Sequence, residues 1–304
     1  MDKTASVIIP TLNAGTRIVS LIGALKSQSA PIAEIIVIDS SSSDDTVRLA
    51  ASRGCKTIVI PKKEFSHGKT RNLAAQSATG DTLVFMTQDA IPLNDGLIEN
   101  LQEPLWFTPH FAAASFARQV CRSGASPIER FCRQFNYPEE PMVKNLSVVR
   151  EKGIKTFFFS NVCSAIKRDV FFDLGGFHDR IIMNEDMLFA SKMVLSGLTV
   201  VYQPKAVVVH SHNYSLIEQF RRNFDIGVSL KEHNLLAYIR PEGEGKNFIL
   251  KGTGHFLREN GPYGVAGFLV NAIFRYCGYA MGVRYKSLPP RIRRSLSIHP
   301  FYFD

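Results

Sequence analysis

Short apolar runs alternate with helically spaced segments through the first hundred residues. SVIIP (6–10), EIIVIDS (34–40), KTIVIP (56–61) and DTLVFMT (81–87) each read as a strand rich in β-branched residues. Between them, Ala14 to Lys26 and Lys69 to Ala78 have helical spacing. The stretch SSSDDTVRLAASRG (41–54) offers Ser43 or Asp44 as an N-cap and Gly54 as a stop. Strands that are apolar throughout and alternate with helices imply a parallel sheet covered on both faces. In such sheets ligands sit beyond the carboxyl ends of the strands. Those ends carry Pro10-Thr11-Leu12-Asn13, Asp39 to Ser43, Glu64 to His67, and Thr87-Gln88-Asp89.

The pattern then changes. FAAASFARQV and FFFSNVCSAIKR read as strands separated by a long polar section, Gly124 to Lys155. NEDMLFASKMVLSG (184–197) reads as a helix with acids in its first turn, where the positive end of the dipole favours them. TVVYQP and AVVVHSH read as two short strands, the second ending in histidines. Beyond Tyr214 the spacing is helical. Phe248 to Asn260 and Val265 to Tyr285 mix aromatics, glycines and basic residues without a clean amphipathic stripe.

Composition narrows the class. The chain has 304 residues, 45% hydrophobic and 21% charged, as ordinary globular proteins do. Its formal charge of +9 favours anionic partners: nucleotide, nucleic acid or membrane surface. Much of the excess lies in KSLPPRIRRSLS (286–297), and no aromatic-plus-basic nucleic-acid module accompanies it. The five cysteines are scattered without a CxxC pair, which points to reduced thiols and not to a zinc site. The chain lacks a signal-peptide core and any run of about 18 apolar residues.

Several residues carry candidate chemistry. Asp39 closes a buried run, where it can cap a turn or recognise a base or ribose. Neither GxGxxG nor GxxxxGK[ST] occurs, which argues against dinucleotide binding and against ATPase or GTPase chemistry. FSHGKTRN (65–72) puts His67, Lys69 and Arg71 around a glycine ahead of a helix, as an anion site or as a solvated basic loop. Asp89 ends a buried strand and can hold a hard cation shared with phosphate oxygens. His210 and His212 lie on one side of an extended segment, structural or reaching a shared site. Glu185 and Asp186 can cap their helix, or one can serve as a general base.

The segments SVIIPTLNAG, VIDSSSSDDT, TRNLAAQSATGD, VFMTQDAIP, GGFHDRIIMNEDMLFA and VVVHSH, in that order, resemble family 2 glycosyltransferases with the GT-A fold over about residues 5 to 230. FSHGKTRN and TQDAIP resemble the bacterial branch that uses dTDP-L-rhamnose. The resemblance implies a Rossmann-like, mostly parallel sheet, with a nucleotide-sugar half at about 1–120 and an acceptor half at about 121–230. A helical extension over 231–304 would follow, and its basic, aromatic composition suits a membrane surface. Pro10, Thr11 and Asn13 would line the nucleotide pocket, Asp39 would accept from the base imide, and Arg71 would lie near base and diphosphate. Thr87-Gln88-Asp89 stands where the family has DxD, so Asp89 is the remaining carboxylate for Mg²⁺ or Mn²⁺, with His210 completing the site. Asp186 matches the general base of the ED pair. Gln219 and Arg222 fit a degenerate QxxRW in which Asn223 replaces tryptophan. The implied reaction is inverting transfer of one sugar to a glycan or polyprenyl-diphosphate-linked acceptor, at the inner face of the cytoplasmic membrane, with metal and Arg71 stabilising the departing diphosphate. A UDP-hexose donor, or a non-catalytic carbohydrate- or lipid-binding protein on the same scaffold, is the alternative.

Overall fold

The structure is a computed structural model describing residues 3–109, 111–235 and 242–303. The first half is built as its pattern implies. Strands β1 (Ala5–Thr11), β2 (Ile32–Asp39), β3 (Lys56–Val59) and β4 (Thr82–Met86) pair in parallel in the order β3-β2-β1-β4. Helices α1 (Arg17–Lys26), α2 (Thr46–Ala51) and α3 (His67–Gln76) connect them. Alternate residues of each strand enter opposite cores. Ile8, Ile36, Ile38 and Phe85 face one, and Val7, Ile9, Val37 and Val84 the other. Burial on both faces is why these runs are apolar throughout.

Two element ends differ from expectation. Helix α2 begins at Thr46, with Asp44 Oδ1 accepting from the Thr46 amide at 3.1 Å. Helix α3 begins at His67, two residues early, after an extended Ser66. Gly68 therefore lies inside the first turn of α3, where a β-carbon would overlap the carbonyl oxygen of His178.

After β5 (Ile91–Pro92) and α4 (Leu97–Trp106), the sheet continues with β6 (Ala114–Val120). The polar section holds α5 (Pro127–Asn136), β7 (Met142–Lys144) and α6 (Val149–Lys152). Next come β8 (Cys163–Lys167), α7 (Arg168–Asp173), α8 (Glu185–Leu195) and β9 (Val200–Val209). The sheet extends as β4-β8-β6-β9-β5, with β7 also on β9. Strands β1, β2, β3, β4, β6 and β9 run one way, and β5, β7 and β8 the other. The two short strands expected around Pro204 are one strand. A register shift opposite Ala117 and Arg118 absorbs Pro204, which has no amide hydrogen for the ladder. In the FFFSNVCSAIKR segment only residues 163–167 pair, and Phe157 and Phe159 bury as loop residues.

Beyond the sheet lies α9 (Leu216–Glu232), opened by a capping box of Ser215 and Glu218. Helix α10 (Glu242–Val283) breaks its helical backbone at Gly261 (φ 65°), which is followed by Pro262. Its second part lies directly on α9. A β-carbon on Gly278 or Gly282 would strike the carbonyl oxygens of Phe220 and Phe224, and one on Gly227 that of Tyr279. Glycines thus set the close helix approach. The expected boundary near 230 falls in the last turn of α9. Helix α11 (Pro290–Leu296) and a 3₁₀ turn over Pro300–Phe303 then return to α9, where Tyr302 and Phe303 join Ile182, Met183, Phe224 and Tyr285 in one cluster.

Candidate active site

Two clefts open beyond the carboxyl ends of the parallel strands. The larger, about 1240 Å³, is walled by Pro10, Thr11, Ser40, Phe65, Gln88 and residues from 179–182 and 298–302. The smaller, about 500 Å³, holds Asp89, Asp186, His210, His212, Gln219 and Arg222 among its walls. His67, Arg71, Thr87, Ile298 and His299 line both.

At the larger cleft the polar residues mainly hold each other. Asp39 is fully buried, and its carboxylate accepts from Thr11 Oγ1 (2.7 Å), the Ser42 amide (2.7 Å) and Ser42 Oγ (2.6 Å). Three of its roughly four acceptor positions are thus taken, which leaves one on Oδ1 for the imide-accepting role implied for Asp39. Asn13, at φ 49°, accepts from the Ser43 amide at 2.9 Å. Gln88 clamps Leu12 through both its amide groups, joining the ends of β1 and β4. Lys69 is exposed and lines neither cleft.

In the smaller cleft the adjacent acids part company. A left-handed Asn184 (φ 65°) turns the chain into α8, so Glu185 and Asp186 occupy the first turn. Glu185 is buried and meets Arg71 Nη1 at 3.3 Å and Asn161 Nδ2 at 3.1 Å. Burial opposes its ionisation, but Arg71, His67 and Asn161 outweigh that and lower its pKa. Among the described residues Asp186 has no cationic partner in contact, and it accepts only from the amides of Asn161 (3.0 Å) and Met187 (2.7 Å). Burial and the neighbouring Glu185 charge push its carboxyl up to about 7. Such a group can take a proton near neutral pH. Asn161, which arranges both acids, escaped attention in the sequence. Its signal was a polar pair, Ser160-Asn161, interrupting a buried run.

Asp89 Oδ2 faces His210 Nε2 at 3.5 Å and His212 Nε2 at 3.3 Å, and the two imidazole nitrogens lie 3.0 Å apart. His212 thus joins the pair expected from sequence, as the alternation of VVVHSH allows. The support runs through α5. Arg133 donates to Gln119 Oε1, so that oxygen can only accept from His210 Nδ1, at 3.0 Å. Burial lowers the His210 pKa, partly opposed by Asp89. The neutral ring then carries its proton on Nδ1 and turns a lone pair on Nε2 toward Asp89. Glu129, paired with Arg133 at 2.8 Å, accepts from the His212 amide at 3.3 Å. Burial opposes ionisation of Asp89, and the two histidines offset it when they are protonated and donate to the carboxylate, which lowers its pKa. A carboxylate oxygen and two imidazole nitrogens, all within 4.8 Å of one another, could hold a divalent cation. With Thr87 in place of an acid the donor set is mixed nitrogen and oxygen.

A family model described as "Glycosyl transferase family 2" matches residues 6–175. The chain belongs to this family. It resembles two curated proteins along nearly their whole length. It is 38% identical to the O-antigen chain rhamnosyltransferase RfbN of Salmonella typhimurium, over 98% of this chain and 96% of that one. It is 37% identical to WbaN of Salmonella anatum, likewise an O-antigen chain rhamnosyltransferase, over 98% and 95%. Among solved structures, a Pyrobaculum calidifontis mannosyltransferase in complex with GDP-Man and Mn²⁺ aligns at TM-score 0.57 and 19% identity, covering 100% of this chain and 85% of that one. Glucosyl-3-phosphoglycerate synthase of Mycobacterium tuberculosis, in complex with Mn²⁺ and UDP, aligns at 0.51 and 19%, covering 76% and 80%. The fold is GT-A, and the chain is a glycosyltransferase.

Proposed function

We propose that this glycosyltransferase moves an L-rhamnosyl group from dTDP-L-rhamnose to a hydroxyl of a growing O-antigen-type glycan, inverting the anomeric centre. The observation that carries the chemistry is the unequal pair on α8. Glu185 is neutralised by Arg71, while Asp186 is left in the cleft without a cation. Asp186 takes the acceptor hydroxyl proton as that oxygen attacks the anomeric carbon. The bond from that carbon to the β-phosphate oxygen breaks, and its electron pair leaves with the nucleoside diphosphate. One base on the acceptor side suffices for inversion, and no enzymic nucleophile is needed. Asp89, His210 and His212 would hold a divalent cation, whose charge favours the diphosphate. The full-length likeness to RfbN and WbaN supports the sugar and the acceptor class.

Thermal shift tests the donor. At a hundredfold excess over Kd a ligand specific for the folded state adds about 2.7 kcal/mol. With Mn²⁺ present, dTDP should raise the melting temperature more than UDP or GDP. A clear preference for UDP would overturn the rhamnosyl reading and leave the fold standing.

No helix among the described residues is long and apolar enough to cross a membrane. Helix α10 nevertheless exposes Leu257, Tyr263, Leu269, Val270, Ile273 and Tyr276, and Arg291 and Arg294 are exposed nearby in sequence on α11. Apolar side chains that insert shallowly, beside basic residues gaining about 1 kcal/mol each from anionic lipid, suit a peripheral membrane site with a lipid-linked acceptor. Liposome flotation should show binding that needs anionic lipid and falls at high salt. Changing Arg291, Arg293 and Arg294 to Glu should abolish it. Equal recovery in the soluble fraction with and without vesicles would dismiss the membrane reading.

A further inference from the structure

The neck where the two clefts meet is lined by side chains whose hydrogen-bonding capacity is unused. His67 Nε2, Arg71 Nε and Thr87 Oγ1 are each buried and without a hydrogen-bond partner among the described residues. Arg71 itself is only 4% exposed, so its unpaired Nε is costly unless a ligand supplies an acceptor. The fourth group comes from far along the chain. His299 crosses edge-on to His67, with ring centroids 5.2 Å apart, and lines both clefts.

The segment carrying His299 is tied down on both sides. The Ile298 amide donates to Asp225 Oδ2 at 3.0 Å, and the His299 amide donates to Ser297 Oγ at 2.8 Å. Tyr302 donates its hydroxyl to Glu232, and Arg180 lies over the Tyr302 ring at 5.6 Å. Asp225 and Glu232 both belong to α9, so the segment's position is set by the same helix that brings Arg222 to the smaller cleft.

A neck ringed by hydrogen-bond donors, with Arg71 and Arg222 beside it, matches an anion rich in acceptor oxygens. A nucleoside diphosphate sugar has its diphosphate between two bulkier ends, and the clefts on either side differ in size as those ends would require. We infer that His299 belongs to the donor site and donates to the sugar nucleotide's diphosphate, together with His67 and Arg71. This inference rests on the donor reading above. It extends the site to a segment more than a hundred residues beyond the acids of α8. Burial and Arg222 lower the His299 pKa, so the neutral ring acts here as a directional N–H donor and not as a charge.

Calorimetric titration of the full chain with dTDP, UDP and GDP, in the presence of Mn²⁺, tests this. A hydrogen bond to a charged group corresponds to about tenfold to a hundredfold in affinity. His299→Phe keeps an aromatic ring against His67 but removes the donor, and should weaken the tightest of the three nucleotides by that factor. His299→Gln keeps a donor and should recover most of the loss. Wild-type affinity in His299→Phe would overturn the inference and leave the segment as packing. Should none of the three bind the wild-type chain, the donor reading fails and the inference with it. A drop in His299→Phe that His299→Gln shares in full, with unchanged melting temperatures, would also count against a hydrogen-bonding role.

Discussion

At the β1–β2 edge, Asp39 is surrounded by groups from its own scaffold, with Thr11 and Ser42 taking most of its carboxylate's lone pairs. At the β6–β9 side, Asp186 accepts from two backbone amides and, among the described residues, from no side chain, and Asp89 faces two imidazole nitrogens across gaps of more than 3 Å. Both carboxylate sets stand beyond strand ends, and position alone makes them look equivalent. Counting partners separates them. A carboxylate most of whose lone pairs are taken by its own scaffold organises the backbone. One that is half-buried with fewer partners keeps acceptor positions that a substrate, proton or cation can fill. The same contrast divides Glu185 from Asp186, one residue apart on α8.

The sharpest way to break this contrast is at that pair. Asp186→Asn keeps the shape and one of the two amide contacts but cannot accept a proton, so turnover should fall by about 10²–10⁴ with nucleotide affinity retained. Wild-type turnover should rise about tenfold per pH unit below about 7 and level above it, because Asp186 must be ionised to act. At pH 8 the substitution should lower the melting temperature less than Glu185→Gln does, because the one amide contact it loses is set against an ionisation cost it removes. The folded-state pKa of Asp186 lies above its ordinary 3.8, so its ionisation weighs against the fold as pH rises past about 4, and the amide removes that term. Glu185→Gln instead leaves Arg71 buried without a counter-charge and should destabilise by about 3 kcal/mol. If Glu185→Gln is the catalytically dead, stable variant and Asp186→Asn the unstable one, the assignments must be exchanged.

A smaller effect tests the support behind the proposed cation site. Gln119 touches no ion in this arrangement but fixes the His210 tautomer. Gln119→Met should lower Mn²⁺ affinity by about 10–100-fold, the usual weight of a group that orients a ligand. His212→Ala should lower it at least as far. Calorimetry with the metal alone reads both. Unchanged Mn²⁺ affinity in both variants would place the cation elsewhere.

How much of this was legible in the chain follows the same division. The parallel half announces itself, because each strand is a continuous apolar run and each ending is polar. Asp39 and Asp89 stood out for that reason, Arg71 and Asp186 because each lies near a helix start, and His210 because it ends an apolar strand of the other half. The other half hides its contacts in topology. Gln119, Glu129 and Arg133 reach the histidines only because β6 pairs with β9 and α5 packs alongside, and no local spacing encodes that. Pro204 made one strand read as two. His299 carried no motif at all, since its place depends on α9 holding the last turns of the described chain. Lys69 shows the reverse failure, a cation in a promising motif that the helical phase of α3 turns to solvent.

The smallest effect bears on Asp39, where scaffold and ligand roles compete for the same oxygens. Ser42 contributes two of the three hydrogen bonds to that carboxylate, one through its amide and one through its hydroxyl. Ser42→Ala removes only the hydroxyl. Its stability cost should be about 1–2 kcal/mol, the value of one hydrogen bond to a charged group less what returning water recovers. The Ser42 hydroxyl also accepts from the Asn13 amide at 2.7 Å, so part of that cost falls on the loop after β1. If Asp39 recognises the base imide, as the resemblance implies, freeing one of its lone pairs should leave dTDP affinity unchanged or raise it. If Asp39 serves only the scaffold, the loosened loop should lower dTDP affinity in step with stability. Parallel melting and calorimetric measurements on Ser42→Ala distinguish the two. A loss of affinity that tracks the loss of stability would assign Asp39 to the scaffold, leaving base recognition to other walls of the larger cleft.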